Sequence, residues 1–202
     1  MKKKMFYSKR NTQNQKLLYL ILIGLALLAL IIGIIFIFTV SESNQETIKE
    51  AINTYYKESS LTLSSFFKVL FNNYTYILLI WILGISVIGI PIVLAMFLFK
   101  SFLLGFSLSS IFYTFKFKGI LVTIFNLIPS KLSFLIVLLL ITFYSISFSI
   151  KLYKHLFLRK PINFRESMNK YLKVLLISLV VTIFISLFET FISIYLLNLF
   201  NI

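Results

Sequence analysis

The chain has 202 residues, 59% of them hydrophobic and only 13% charged, and carries a formal net charge of +14. A soluble domain averages roughly 45–50% apolar and about 25% charged residues, which excludes an ordinary soluble domain and a disordered chain. The long unbroken apolar runs also disfavour a membrane barrel, whose strands alternate polar and apolar residues.

Taken in chain order, the sequence opens with six basic residues and no acid up to Lys16, followed by an uncharged stretch from Leu17 to Val40. At 1.5 Å per residue that stretch crosses a hydrocarbon core of about 30 Å. It is too long for a cleaved leader and no A-x-A site follows, so it reads as an uncleaved signal anchor, TM1 at 17–40. The segment 41–72 is polar and is expected to be extracytoplasmic. Ser43-Asn44-Gln45-Glu46 has capping-box spacing. Leu63, Phe66, Phe67, Leu70 and Phe71 recur at helical spacing, as in an amphipathic helix that lies in the interface or packs on the protein and runs into TM2.

Tyr74 to Thr114 is nearly unbroken apolar sequence, interrupted by Gly89, Pro91 and Lys100. As one helix it would reach about 60 Å, twice the hydrocarbon thickness. A break at Gly89 and Pro91 is expected, since glycine suits a helix end and proline the first turn of the next helix. This places TM2 at 73–88 and TM3 at 91–114; a break at Lys100 is the alternative. The piece 118–129, ending at Pro129, is too short to span and reads as an interfacial or re-entrant helix. TM4 follows at 132–150, a basic loop at 151–173 and TM5 at 174–197.

Most of the positive charge sits in the leader and in 151–173. The positive-inside rule puts both in the cytoplasm. That parity requires an odd number of crossings between them after TM1, hence two in the 41-residue run. The expected fold is therefore an all-α polytopic membrane protein of five transmembrane helices, forming one membrane domain. The N-terminus is expected in the cytoplasm and the C-terminus outside a bacterial cell membrane.

Chemistry is constrained by what the chain lacks. There is no cysteine and no aspartate, and there is one histidine, His155. Disulfides, thiolate nucleophiles, a Ser-His-Asp triad and a His-rich zinc site are all excluded. No cofactor or metal is expected, and no catalytic set. Gly105-Phe106-Ser107 is similar to the serine motif of rhomboid-type intramembrane proteases, but His155 falls in the basic loop rather than opposite Ser107. Gly105 instead reads as a small residue that lets helices approach closely. The basic residues flank apolar spans, where topology and anionic lipid explain them, so membrane lipids and not nucleic acid are the expected contacts. Lys100 and Glu189 are the charges deep inside expected spans. They are expected to form an intramembrane ion pair linking TM3 to TM5, or else each to snorkel to an interface.

Two stretches carry a resemblance. Trp81-Ile82-Leu83-Gly84-Ile85-Ser86-Val87-Ile88-Gly89-Ile90-Pro91, with the following Phe99-Lys100 and Gly105-Phe106-Ser107, resembles the core of the stage II sporulation protein M family. Ser186-Leu187-Phe188-Glu189-Thr190 in the last span is similar too. The resemblance implies a non-enzymatic membrane scaffold that recruits two cell-wall hydrolases, a lytic transglycosylase and an amidase/endopeptidase. Septal peptidoglycan is thereby thinned and the membrane migrates during engulfment. A small permease or transporter subunit is the reading from another class.

Overall fold

The structure, a computed structural model, describes residues 2–58, 63–116, 123–159, 161 and 163–192. They form an all-helical polytopic membrane protein, and five helices are long and apolar enough to cross a bilayer. Helix α1 is Lys2–Phe36, extended by a tight turn Ile37–Thr39; α2 is Glu42–Glu58; α3 is Leu63–Gly84; α4 is Gly89–Phe115. A π-helical stretch, Thr123–Leu132, runs without a break into α5, Ser133–Leu158. Helix α6 is Phe164–Leu187, and it ends in a second π-helical turn, Phe188–Ile192.

The 41-residue apolar run does break in two, and Lys100 lies well inside α4. Gly84 closes α3, Ile85 to Ile88 make the turn, and Gly89 opens α4. Pro91 sits in the first turn of α4, where its missing N–H costs no intrahelical bond. Gly89 is required by closeness rather than by a left-handed backbone: a Cβ there would lie 1.9 Å from the Leu83 carbonyl oxygen.

Other boundaries shift from the sequence reading. Helix α3 begins at Leu63, not residue 73, and ends at Gly84, not residue 88, so the stretch with Leu63, Phe66 and Phe71 and the second span form one continuous helix. Leu63, Phe67 and Phe71 point outward along one stripe, at the i, i+4, i+8 spacing of a single helix face, while Phe66 turns inward to meet Phe191. Helix α2 starts at Glu42, one residue before the expected cap Ser43. Gln45 there serves a different purpose: its side-chain amide donates to the carbonyls of Ile37 and Val40, at 3.1 and 2.9 Å, and so caps the end of the first span. Helices α5 and α6 extend into the expected 151–173 loop, leaving a short connection at 159–163. Asn163 caps α6 by accepting from the Glu166 N–H, and its amide donates in turn to the Glu166 carboxylate. Residues 59–62, 118–122, 160, 162 and 193–197 of the expected elements lie outside the described residues.

Side-chain pairs give the sense of each crossing. Phe66 meets Phe191, Asn73 meets Ser186 and Trp81 meets Tyr171, so α3 and α6 are antiparallel. Ser145 reaches Ile80 and Ser149 reaches Gly84, so α3 and α5 are parallel. Ser149, late in α5, also reaches the Ser86 carbonyl in the turn that opens α4, so α4 runs antiparallel to α5; Tyr19 of α1 packs on Phe143 of α5, toward that end, while Phe36 packs on Phe102 and Phe106 farther along α4, so α1 runs parallel to α4. The five spans therefore alternate. The start of the first span and the 159–163 connection lie at one end of the bundle; α2 and Thr123–Leu132 lie at the other.

The bundle is built as lipid demands. Leu20, Leu28, Ile32, Phe99, Leu176 and Phe184 face outward, while Ser101, Thr142, Ser145, Ser149, Thr182 and Ser186 are buried. With hydrocarbon outside, hydrophobicity gives no drive for helices to associate, and small residues at the interfaces gain close van der Waals packing and hydrogen bonds instead. Backbones come close where α1 crosses α4. A Cβ on Gly33 would lie 2.1 Å from the Phe102 carbonyl oxygen, and one on Gly105 would lie 2.0 Å from that of Leu30.

Candidate functional site

Three features gather the residues singled out by sequence. The first is a charged cluster near the α2 end of the bundle. Glu189, 8% exposed, accepts a hydrogen bond from the Lys131 ammonium, whose side chain is 44% exposed. Both residues lie in π-helical stretches, Thr123–Leu132 and Phe188–Ile192, which pack on each other. Pro129 gives a physical cause for the first: it has no N–H to donate and its ring clashes with the carbonyl four residues back, so an ordinary α-turn cannot run through it. Such wide turns are rare and concentrate at functional sites.

The expected pairing of Glu189 with Lys100 is not the one formed. Lys131, which belongs to the element preceding α5, takes the carboxylate, and the Lys100 ammonium lies 4.3 Å from the centre of the Tyr76 ring. The reason is reach: the two π-helical stretches place Lys131 and Glu189 side by side, while Lys100 sits in mid-span and finds the face of an aromatic ring on α3, a favourable seat for a cation in a dry environment. Lys131 falls between the expected interfacial piece 118–129 and TM4 at 132–150, so sequence spacing gives it no seat inside a span and no reason to meet Glu189.

Deeper along the same interface, Asn73 donates to the Ser186 hydroxyl at 3.3 Å, and the Tyr74 hydroxyl donates to the Leu179 carbonyl at 3.1 Å. Thr190, beside Glu189, is 2% exposed and its hydroxyl has no hydrogen-bond partner among the described residues.

The second feature is the Trp81-to-Pro91 string, which forms a lock at the opposite end. Tyr171 of α6 donates its hydroxyl to the Trp81 carbonyl at 2.7 Å and lies 2.7 Å from the Ser145 hydroxyl. Its single proton is committed to Trp81, so Ser145 donates either to Tyr171 or to the Ile80 carbonyl, 3.2 Å away. Its ring is stacked between Trp81 and Phe148, with centroids 5.4 and 4.8 Å apart. Ser149 donates to the Gly84 carbonyl at 2.5 Å, where α3 has run out of helical donors. Gly84 itself leaves the space that Tyr171 fills: a Cβ there would lie 2.2 Å from the phenol oxygen. Trp81 and Gly84 therefore position the α3–α4 turn against α5 and α6. Ser107 donates to the Leu103 carbonyl of its own helix at 2.8 Å.

The third feature is an open groove of about 460 Å³ between α5 and α6. It runs from Pro129, Ser133 and Phe188 at the charged end to Leu140 and Ile177 deeper in the span.

An alternating bundle with an apolar exterior, hydroxyl-rich interfaces and a charged cluster buried among helices defines an integral, multi-span membrane protein. The family described as Stage II sporulation protein M matches residues 22–194, and the chain belongs to that family. The matched region takes in the first span from Leu22 onward, the other four spans whole, the Trp81-to-Pro91 lock and the Lys131–Glu189 pair. No curated protein and no solved structure matches the chain.

Proposed function

We propose that this protein is a non-enzymatic scaffold of a bacterial cell membrane that recruits cell-wall hydrolases for septal peptidoglycan thinning during engulfment. The observation that carries the reading is the family match over residues 22–194, which covers the bundle from within the first span to the end of the last. In this reading the partners are a lytic transglycosylase and an amidase/endopeptidase anchored in the same membrane. The basic start of α1 and the 159–163 connection, which share one end of the bundle, lie in the cytoplasm by the positive-inside rule. Helix α2 and the Thr123–Leu132 stretch then face outward, where wall enzymes work, and offer the docking surface.

Affinity capture of the detergent-solubilised protein from its own membranes tests this. Recovered material is expected to cleave glycan strands and peptide stems of purified peptidoglycan. Capture of an ATPase with no wall-degrading activity would overturn the reading.

One observation favours a permease subunit as the second reading: Ser178, Thr182, Ser186 and Glu189 line one buried face of the last span. Solute flux into proteoliposomes that contain the purified chain, abolished by Glu189→Ala, would support it.

A further inference from the structure

We infer that the basic end of the bundle carries a docking surface for an acidic, amphipathic segment of a soluble protein, built on Tyr153, Leu156 and Phe157 at the end of α5. The inference stands apart from hydrolase recruitment, which the proposed orientation assigns to the opposite end.

Depth decides what can cover this end. Ser149 bonds the Gly84 and Ser86 carbonyls, so it lies level with the α3–α4 turn. Tyr19 meets Phe143 and Tyr171 meets Phe148, which puts the exposed Lys16 and Lys173 no farther out than that level. Lysines at helix ends mark where hydrocarbon gives way to headgroups, so the turn stands at that boundary. Helix α5 runs on past it to Leu158. From Ser149 to Phe157 the helix rises about 12 Å at 1.5 Å per residue, while the headgroup layer adds only about 5–8 Å on each side. Lipid tails therefore do not cover the end of α5.

What projects is nevertheless apolar. Tyr153, Leu156 and Phe157 follow i, i+3, i+4 spacing and share one helix face, and the rings of Tyr153 and Phe157 lie 5.0 Å apart. Leu156 and Phe157 are 67% and 68% exposed. Inside the span that face is packed: Ser149, one turn before Tyr153 and two before Leu156, is buried against the α3–α4 turn. Beyond the turn the face continues and its neighbour does not. An apolar ridge standing in water marks a contact surface.

The sign of the partner follows from charge. From Lys151 to Lys173 the sequence holds seven basic residues and one acid, Glu166, which Lys170 takes. Arg159 and Arg165, both exposed, flank the tip of the ridge. A second copy would bring like charge to this end and be repelled. Nucleic acid is anionic but has no aliphatic surface to offer Leu156. A helix with leucine-like residues on one face and carboxylates beside them matches both the ridge and the charge.

The chain has no cysteine, so Leu158→Cys, beside the ridge, carries a single polarity-sensitive dye. The full chain in phosphatidylcholine nanodiscs, which leave both ends of the bundle open, is titrated with an amphipathic glutamate–leucine peptide or its lysine–leucine counterpart. Dye emission is expected to shift to the blue and saturate with the glutamate peptide and to stay put with the lysine peptide. Leu156→Ser with Phe157→Ser is expected to weaken binding about tenfold. Arg159→Glu with Arg165→Glu is expected to weaken it about tenfold as well, and added salt to weaken the unsubstituted chain. All four positions are exposed, and Trp81 emission reports that the bundle beneath them stays folded. No response to the glutamate peptide, an equal response to both peptides, or binding indifferent to either pair of substitutions would overturn the proposal. So would a blue shift in phosphatidylglycerol discs without peptide, the same shift with an oligonucleotide, or dimers that Phe157→Ser dissociates. Because sidedness and wall enzymes play no part in the measurement, its failure leaves hydrolase recruitment untouched.

Discussion

The hydroxyl of Tyr171 on α6 donates to the backbone carbonyl of Trp81 on α3, ninety residues earlier in the chain, and its ring stacks on the Trp81 indole. That one side chain joins the end of α3 to α5 and α6, at the place where Gly84 gives up its own side chain to make room. Removing the hydroxyl tests its weight. Tyr171→Phe keeps the stack and is expected to lower stability by about 1 kcal/mol, the usual scale of an interhelical hydrogen bond in a membrane protein. Trp81 is the chain's single tryptophan, so its emission reports the site directly during thermal or denaturant unfolding. Tyr171→Leu removes the stack as well and is expected to cost distinctly more.

The α1–α4 crossing depends on bare backbone. Gly33→Leu or Gly105→Leu would drive a side chain into the opposing carbonyl, and either is expected to destabilise the bundle by about 1–3 kcal/mol through overpacking. Gly24→Leu is the control, because a Cβ at Gly24 meets nothing within 4 Å. Size-exclusion profiles after graded heating in detergent would rank the three. A Gly24 variant as unstable as the other two would contradict this account of the crossing.

The ion pair is asymmetric, and its two halves should not cost the same. Lys131→Ala leaves the buried Glu189 carboxylate without its partner, and breaking a buried pair this way costs about 3–5 kcal/mol. Glu189→Ala leaves a half-exposed lysine that can reach the interface, so the loss is expected to approach the ~1 kcal/mol of an exposed pair. A double-mutant cycle is expected to show strong coupling between Lys131 and Glu189 and weaker coupling between Lys100 and Glu189. The reverse order would restore the pairing with Lys100 that sequence spacing suggests.

Sidedness can be read with introduced cysteines, since the chain has none of its own. Asn44 on α2 and Arg165 at the start of α6 are both exposed and lie toward opposite ends of the bundle. In the proposed orientation, Asn44→Cys reacts with a membrane-impermeant maleimide on intact cells, and Arg165→Cys reacts only after permeabilisation. Exchange of the two results would invert the proposed topology.

The candidate site was legible in part. Gly84, Gly89, Pro91, Trp81 and Gly105 stood out because Gly, Pro and Trp are conspicuous against a background of Ile, Leu and Phe. Each proves to sit where backbone comes close, where a helix starts, or where rings stack. Gln45, Tyr171 and Ser149 were not legible, because polar residues at helical spacing look alike until the carbonyls they reach are known. Lys131 was not legible as a partner for a related reason: it falls between the expected piece 118–129 and TM4 at 132–150, whereas the chain there winds as a wide helix.

The sequence by itself determined the number of crossings and where the long apolar run divides. Bilayer thickness and the need to satisfy every backbone group internally leave few ways to thread so apolar a chain. Only the tertiary structure decided that Glu189 meets Lys131 and that Lys100 lies over Tyr76. In lipid, all apolar helix faces are equally at ease, so the choice of neighbour falls to small residues and a few hydrogen bonds, whose geometry exists only once the helices have packed.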